Sequence, residues 1–226
     1  MYNKLFDPNL QKNMTDYFAN ELSKLGTIKN YKKNTVIDPI ESDHVFIVLS
    51  GEFTQVLIAE NGDERVLFRL TRGTIFGEMD YFDMERTCAL TRVIKPGSVS
   101  IISRKVLDEI LIKKPEIYRF FMHSITRKYR ILMLQIADAK FNDALGTTAN
   151  ILLRIASMQE HGDLKSNTLI ARKYTHEELS STLGLSRTTI TNVLNFLKEK
   201  NVINFEARQI RILDIQKLES YINKFY

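Results

Sequence analysis

The sequence predicts an α+β chain in which a small jelly-roll β-barrel is followed by one long helix and a winged helix-turn-helix. Three observations carry that prediction. Between about Thr35 and Ile102, short β-branched and aromatic runs alternate with glycines. From Tyr118 to Ala139, apolar residues recur at alternating spacings of four and three. From Thr175 onward, two short amphipathic stretches flank a glycine.

The strand-forming runs are VFIVLSG, FTQVLIAENGD, ERVLFRLTRG and SVSIIS, each beginning or ending near Gly51, Gly62, Gly73, Gly77 or Gly97. Asn61-Gly62 between two apolar runs signals a hairpin, with a primed turn that needs positive φ at both central residues. Short strands at this spacing build a barrel or a double-sheet jelly roll. Ahead of them, Leu10 to Leu25 has the pattern of an amphipathic helix that packs on the barrel end. The barrel is expected to occupy residues 1–112.

The second segment, 113–142, reads as a dimerisation helix. Tyr118, Met122, Ile125, Tyr129, Leu132, Ile136 and Ala139 form a heptad seam, with Arg127, Lys128 and Arg130 off it. Such a seam pairs with its twin in a two-fold dimer, or else packs on its own domain.

The third segment, 143–226, opens with the helix ALGTTANILLRIASMQEHG, ending near Gly162. Thr175 followed by Glu178 is a capping box that starts a new helix. Leu179, Leu183, Leu185, Ile190 and Val193 give two short helices a shared core, and Gly184 stands at the sharp turn between them. Ser186 is placed to cap the second helix, and Arg187, Thr188, Thr189, Thr191 and Asn192 fill its first turns. Those positions of a recognition helix face base edges and phosphates of double-stranded DNA in the major groove. Arg187 suits guanine or a phosphate, and Asn192 suits adenine. INFEARQIRIL then reads as a two-stranded wing, with Arg208 and Arg211 as backbone contacts.

Composition narrows the function classes. At 226 residues, 44% hydrophobic and 26% charged, the chain has the profile of a two-domain globular protein. It has no long apolar run for a membrane span, and MYNKLFDPNLQKNM lacks the apolar core of a secretory signal. Its one cysteine, Cys88, excludes an intramolecular disulfide framework, fits a cytoplasmic setting and reads as a small buried residue. Residues 1–112 carry 14 Lys/Arg against 16 Asp/Glu, residues 113–142 carry 7 against 2, and residues 143–226 carry 11 against 9. The basic C-terminal half matches a phosphate-backbone binder, or else its Lys and Arg side chains solvate helix faces. His44, His123, His161 and His176 fall in four separate stretches, so the clustered ligands of a cupin-type metalloenzyme are not expected. No phosphate-cradling glycine loop or nucleophile elbow appears, and the chain is not expected to be an enzyme.

In its order of elements the chain resembles the cyclic-AMP receptor protein and fumarate–nitrate regulator (Crp/Fnr) family. The resemblance rests on HVFIVLSGEFTQVLIAENGDERVLFRLTRGTIFGE with its glycines at 51, 62, 73 and 77, then the long helix, LGTTANILLRIA and SRTTITNVLNFLKEKNVI. It implies an effector-sensing barrel like a cyclic-nucleotide-binding domain, a homodimer, a roughly palindromic operator and contact with RNA polymerase. In members that bind cyclic nucleotides, a loop begins with Gly-Glu and ends with Arg-Ser or Arg-Thr. Here GEMDYFDMERTCA supplies Gly77, Glu78, Arg86 and Thr87. By that resemblance the effector is cyclic AMP or another small anionic molecule.

The sequence also departs from that pattern. The loop is shorter than the receptor's, and Asp80 replaces a glycine near the phosphate position. Leu132 and Met133 stand where that receptor offers a Thr-Ser pair to adenine, and neither side chain can hydrogen-bond a base. One cysteine excludes a cluster held by four thiolates within the chain. Haem sensing would have only the scattered His44 and His123 as ligands. An effector-independent regulator, its barrel serving only as a dimerisation scaffold, is the alternative. Thr188 and Asn192 replace the receptor's Glu and Arg on the recognition helix, so this chain should read an operator of its own.

Overall fold

The computed structural model describes residues 7–37, 44–85, 87–159 and 165–223. The chain divides into two compact units, and the boundary falls inside the long helix, between Arg130 and Ile131. Arg86, His161 and the predicted helix end near Gly162 lie outside the described residues.

In the first unit, helix α1 (Pro8–Asn20) starts where the Asp7 carboxylate accepts the N–H groups of Asn9 and Leu10, with Pro8 pre-set for the first turn. It buries Met14, Phe18 and Ala19. The helix stops at Asn20, short of the expected Leu25, and Leu22–Leu25 forms a separate 3-10 turn. Gly26 ends that turn pressed against the sheet, where a Cβ would lie 2.4 Å from Ser100 Oγ.

Eight strands follow: β1 (Thr27–Tyr31), β2 (Val36–Ile37), β3 (His44–Val48), β4 (Glu52–Ile58), β5 (Glu64–Leu70), β6 (Ile75–Phe76), β7 (Leu90–Lys95) and β8 (Gly97–Ser103). They form two four-stranded antiparallel sheets, ordered β1-β8-β3-β6 and β2-β7-β4-β5. This is the expected jelly roll. Helix α2 (Glu78–Asp83) links β6 to β7, and α3 (Arg104–Lys113) follows β8. The core joins Met14, Phe18 and Leu22 to Val45, Ile47, Ile75 and Ile102, and then to Leu107, Leu111 and Phe121.

The β4–β5 hairpin forms as the sequence predicts, but by another turn. Only Gly62 has positive φ, and the closing bonds run from Gly62 N–H to Ala59 O and from Ala59 N–H to Asp63 O. Asn61 keeps negative φ because its side-chain oxygen accepts the Asp63 N–H at 3.0 Å, a local bond that favours a longer loop over a primed turn.

Helix α4 (Tyr118–Phe141) spans the unit boundary. In the second unit come α5 (Ala144–Gln159), β9 (Thr168–Leu169), α6 (His176–Leu183), α7 (Arg187–Glu199), β10 (Ile203–Glu206), β11 (Gln209–Ile212) and α8 (Ile215–Ser220). The sheet β10-β11-β9 extends the expected two-stranded wing by one strand. Its core gathers Leu152, Ile170, Leu179, Ile190, Leu194, Leu197, Val202, Ile212 and Leu218, with Leu185 and Val193 half-buried against it. A buried polar knot ties the end of α4 to α5. Asp138 accepts from Asn150, and Arg154 lies 3.6 Å away, all three below a tenth exposed.

Candidate functional site

Local bonds fix the helix-turn-helix. Thr175 Oγ1 accepts the Glu178 N–H at 3.0 Å and Glu178 Oε2 accepts the Thr175 N–H at 2.8 Å, closing the expected capping box. Helix α6 ends at Gly184, whose φ of +66° is the left-handed conformation that the turn requires. Ser180 Oγ donates to Leu185 O at 2.6 Å and holds the turn from below. Ser186 Oγ then accepts the Thr189 N–H at 3.0 Å, which starts α7.

Ile190, Leu194 and Leu197 bury one stripe of α7. On the other side Arg187, Thr188 and Asn192 stand exposed, as expected of a reading face. Asn195 shares that exposed line, seven residues after Thr188 and three after Asn192. Sequence reasoning missed it, although its helical spacing was the available signal. Two of the threonines are also engaged within the protein. The Thr189 hydroxyl is engaged with Ser186 Oγ at 2.8 Å, inside the cap. Thr191 Oγ1 donates to Arg187 O at 2.9 Å and lies 2.8 Å from His176 Nδ1, so it joins α7 to α6.

In the wing, β10 and β11 are joined by Ala207 and Arg208, with φ of +47° and +69°, a primed two-residue turn. Arg208 therefore sits exposed at the tip. Arg211 does not. Its guanidinium grips Glu206 at 2.5 and 2.7 Å and donates to Asn167 O at 2.6 Å. That pairing holds Glu206 below its ordinary value and Arg211 above its own. Arg211, expected as a DNA contact, is thus also a structural brace of the wing.

In the barrel loop, Gly77 and Glu78 open α2, and the Thr87 N–H is held by Asp80 of the same helix. Gly77 has φ of +82°, and a Cβ there would lie 2.6 Å from His44 O, so backbone and strand touch directly. Glu78 is 1% exposed, and its Oε1 accepts from Lys128 Nζ at 2.6 Å. Lys128 also donates to Ile75 O at 3.0 Å. The other carboxylate oxygen of Glu78 is buried without a hydrogen-bond partner among the described residues. Asp80 is also 1% exposed, and its Oδ1 accepts the Thr87 N–H at 2.8 Å. The Tyr81 hydroxyl donates to Asp108; burial first, and then that bond, push its pKa up. Cys88, expected to be buried, is exposed on the segment leading to β7. Lys128 is the cation that sequence reasoning set aside as merely off the seam.

Along α4, Tyr118, Met122, Tyr129 and Ile136 are 45%, 58%, 62% and 70% exposed, and Ala139 is also exposed. Ile125 and Leu132 are half-buried, whereas Met133, outside the expected seam, is 52% exposed. The open apolar line thus runs Met122–Tyr129–Met133–Ile136, rotated slightly from the expected heptad. Among the described residues no three His, Cys, Asp or Glu side chains gather to hold a metal ion.

Residues 29–114 match the Cyclic nucleotide-binding domain family, and residues 148–221 match the Crp-like helix-turn-helix domain family. The chain belongs to the Crp/Fnr family of transcription regulators. It is a DNA-binding regulator with an effector-binding domain ahead of its helix-turn-helix. It is similar to the CRP-like cAMP-activated global transcriptional regulator of Mycobacterium tuberculosis, with 28% identity over 180 residues covering 78% of each chain. With the cAMP-activated global transcriptional regulator CRP of Pasteurella multocida it shares 25% identity, over 79% of this chain and 85% of that one. A mutant of CooA from Carboxydothermus hydrogenoformans has the same fold, with a TM-score of 0.77 and 21% identity over 97% of this chain and 98% of that one.

Proposed function

We propose that this regulator acts as a homodimer joined along α4, with each protomer laying α7 in the major groove of one half of a roughly palindromic operator. Arg187, Thr188 and Asn192 read base edges, with Asn195 one turn further along. Ser186, Thr189 and Arg208 hold the phosphate backbone. The observation that carries this reading is the face of α7: an exposed polar line backed by the buried Ile190, Leu194 and Leu197. The exposed Met122–Ile136 line on α4 supports the dimer, since apolar surface of that kind is covered when two copies meet.

In this reading a small molecule seated at Gly77, Glu78 and Thr87 controls DNA binding. The names of the relatives, cAMP-activated regulators, make a cyclic nucleotide the first effector to try. The output is transcription through RNA polymerase in the cytoplasm, and the barrel binds its ligand without turning it over. The relatives are regulators, which supports that role.

The test starts with selection of duplexes from a random pool by the purified chain. A palindromic consensus that Arg187→Ala no longer enriches is the expected result. Enrichment unchanged in that variant would move the reading face away from α7. Sedimentation should give a dimer that Ile136→Glu dissociates, and a wild-type monomer at micromolar concentration would remove α4 as the joint.

A further inference from the structure

Only Asn142 and Asp143 separate α4 from α5. A joint that short sets the angle between the two helices, and the last carbonyls of α4 have no partner within the helix. One comes from far along the chain. Asn223, just beyond α8, donates its Nδ2 to Phe141 O at 2.6 Å and its backbone N–H to Asn142 Oδ1 at 2.8 Å. Asn142 Nδ2 in turn donates to Asp138 Oδ1 at 3.2 Å, which joins Asn223 to the buried Asp138–Asn150 pair. Gly146, in the first turn of α5, lies against the same network. A Cβ there would stand 2.8 Å from Tyr221 O and 2.7 Å from Asn142 Oδ1.

The segment also reaches the reading helix. The Tyr221 ring meets Phe196 of α7 edge-on, with centroids 6.0 Å apart. Lys217 Nζ donates to Lys200 O at 3.0 Å, where α7 ends. Residues 217–223 therefore bridge the α4–α5 joint to the back half of α7. Asn223 is exposed, so its bonds add little to the core, and their main effect is to restrict the joint.

We propose that Tyr221–Asn223 is a strap that fixes the pitch of α7 against the last turns of α4, and so sets the half-site spacing that the regulator accepts on DNA. This rests on the reading that α4 joins two copies and that α7 lies in the groove. A two-fold dimer holds its reading helices at one separation, matched by half-sites about 10–10.5 base pairs apart or a multiple of that. Adding or removing one base pair shifts a half-site by about 3.4 Å and turns it by about a tenth of a helical turn. A strapped joint resists that shift, and a loosened one bends to follow it.

Selection from a random duplex pool first gives the operator of the wild-type chain. Fluorescence titration then compares that duplex with versions one base pair shorter and longer at the centre. The variants are Asn223→Ala, which deletes the donor to Phe141 O, and Gly146→Ala, whose Cβ presses on Tyr221 while alanine favours the helix. Thermal melts establish that each is folded; if Gly146→Ala is not, Asn223→Ala decides alone. Wild type is expected to lose at least about tenfold in affinity on either shifted duplex, and the variants less than about threefold. Affinity for the parent duplex should stay within about threefold of wild type. Variants that discriminate as sharply as wild type, or that weaken on all three duplexes by one factor, overturn the strap and leave the dimer reading in place. So does a wild type that already tolerates the shifted duplexes. A wild type that selects single, unpaired half-sites overturns the dimer reading and the strap with it.

Discussion

On α7, Arg187, Thr188, Asn192 and Asn195 stand in solvent on one helix face. In the barrel loop, Glu78 and Asp80 are each 1% exposed and bonded to Lys128 and to the Thr87 backbone. The two regions carry similar polar chemistry and place it in opposite environments. A surface that reads DNA keeps its donors and acceptors wet until the polymer displaces water, so its residues contribute little to folding. A loop that takes a small molecule into a core must satisfy its charges before the ligand arrives, because a buried ion without a partner is costly. Substitutions in the loop should therefore act on stability, and substitutions on α7 should act on binding.

The largest effect is expected at Lys128. Lys128→Ala leaves the Glu78 carboxylate buried without its cation, which should destabilise the barrel by about 3–5 kcal/mol. Chemical denaturation checks it, and pairing the change with Glu78→Gln should recover most of the loss. A shift below about 1 kcal/mol would mean that water reaches the pair, and the contrast with α7 would fail. Arg187→Ala should do the reverse. It should cost about 1–3 kcal/mol of operator affinity in a fluorescence binding assay and leave stability within about 0.5 kcal/mol of wild type.

How much of each region was legible follows from distance along the chain. The recognition helix is written locally. Thr175 with Glu178, Gly184, Ser186 and the Ile190–Leu194 spacing all lie within a few turns, and each formed as its residue type dictates. The Arg211–Glu206 pair was hidden because a strand arginine looks the same whether it faces DNA or a neighbour. In the barrel loop, Gly77, Glu78 and Thr87 could be found by their motif, but what satisfies Glu78 stands fifty residues away on α4. No periodicity encodes a long-range ion pair. The same holds for Tyr81 with Asp108, and for Asp138 with Asn150 and Arg154, whose helices read as ordinary amphipathic segments. Strand β1 escaped notice because four of its five residues are exposed and show no alternation.

A smaller effect separates architecture from reading on α7 itself. Ser186→Ala removes the side-chain acceptor of the Thr189 N–H and should cost about 1 kcal/mol of stability in the second unit, as lost helix caps do. Ser186→Asp restores an acceptor and should recover that stability, while its negative charge beside the phosphates weakens operator binding. Recovery of affinity together with stability in Ser186→Asp would show the cap acting only through helix order.

The smallest effect concerns His123, half-buried on α4 with its Nε2 at 3.2 Å from Gln11 Oε1. Burial lowers its pKa first, and the positive charges of Arg127, Arg130 and Arg119 lower it further, against a weaker opposing pull from Asp7. The unfolded chain therefore takes up this proton more readily than the folded one. Whatever stability the neutral ring secures is fully present above the ordinary histidine value of 6.5, and it is lost as pH falls from there toward the depressed folded value. Below that value the loss is complete and the His123 contribution becomes flat. His123→Gln cannot titrate, so the difference in melting temperature between variant and wild type should move in the variant's favour as pH drops below 6.5. A difference independent of pH across that window would place the ring in contact with water, on the same footing as the exposed residues of α7.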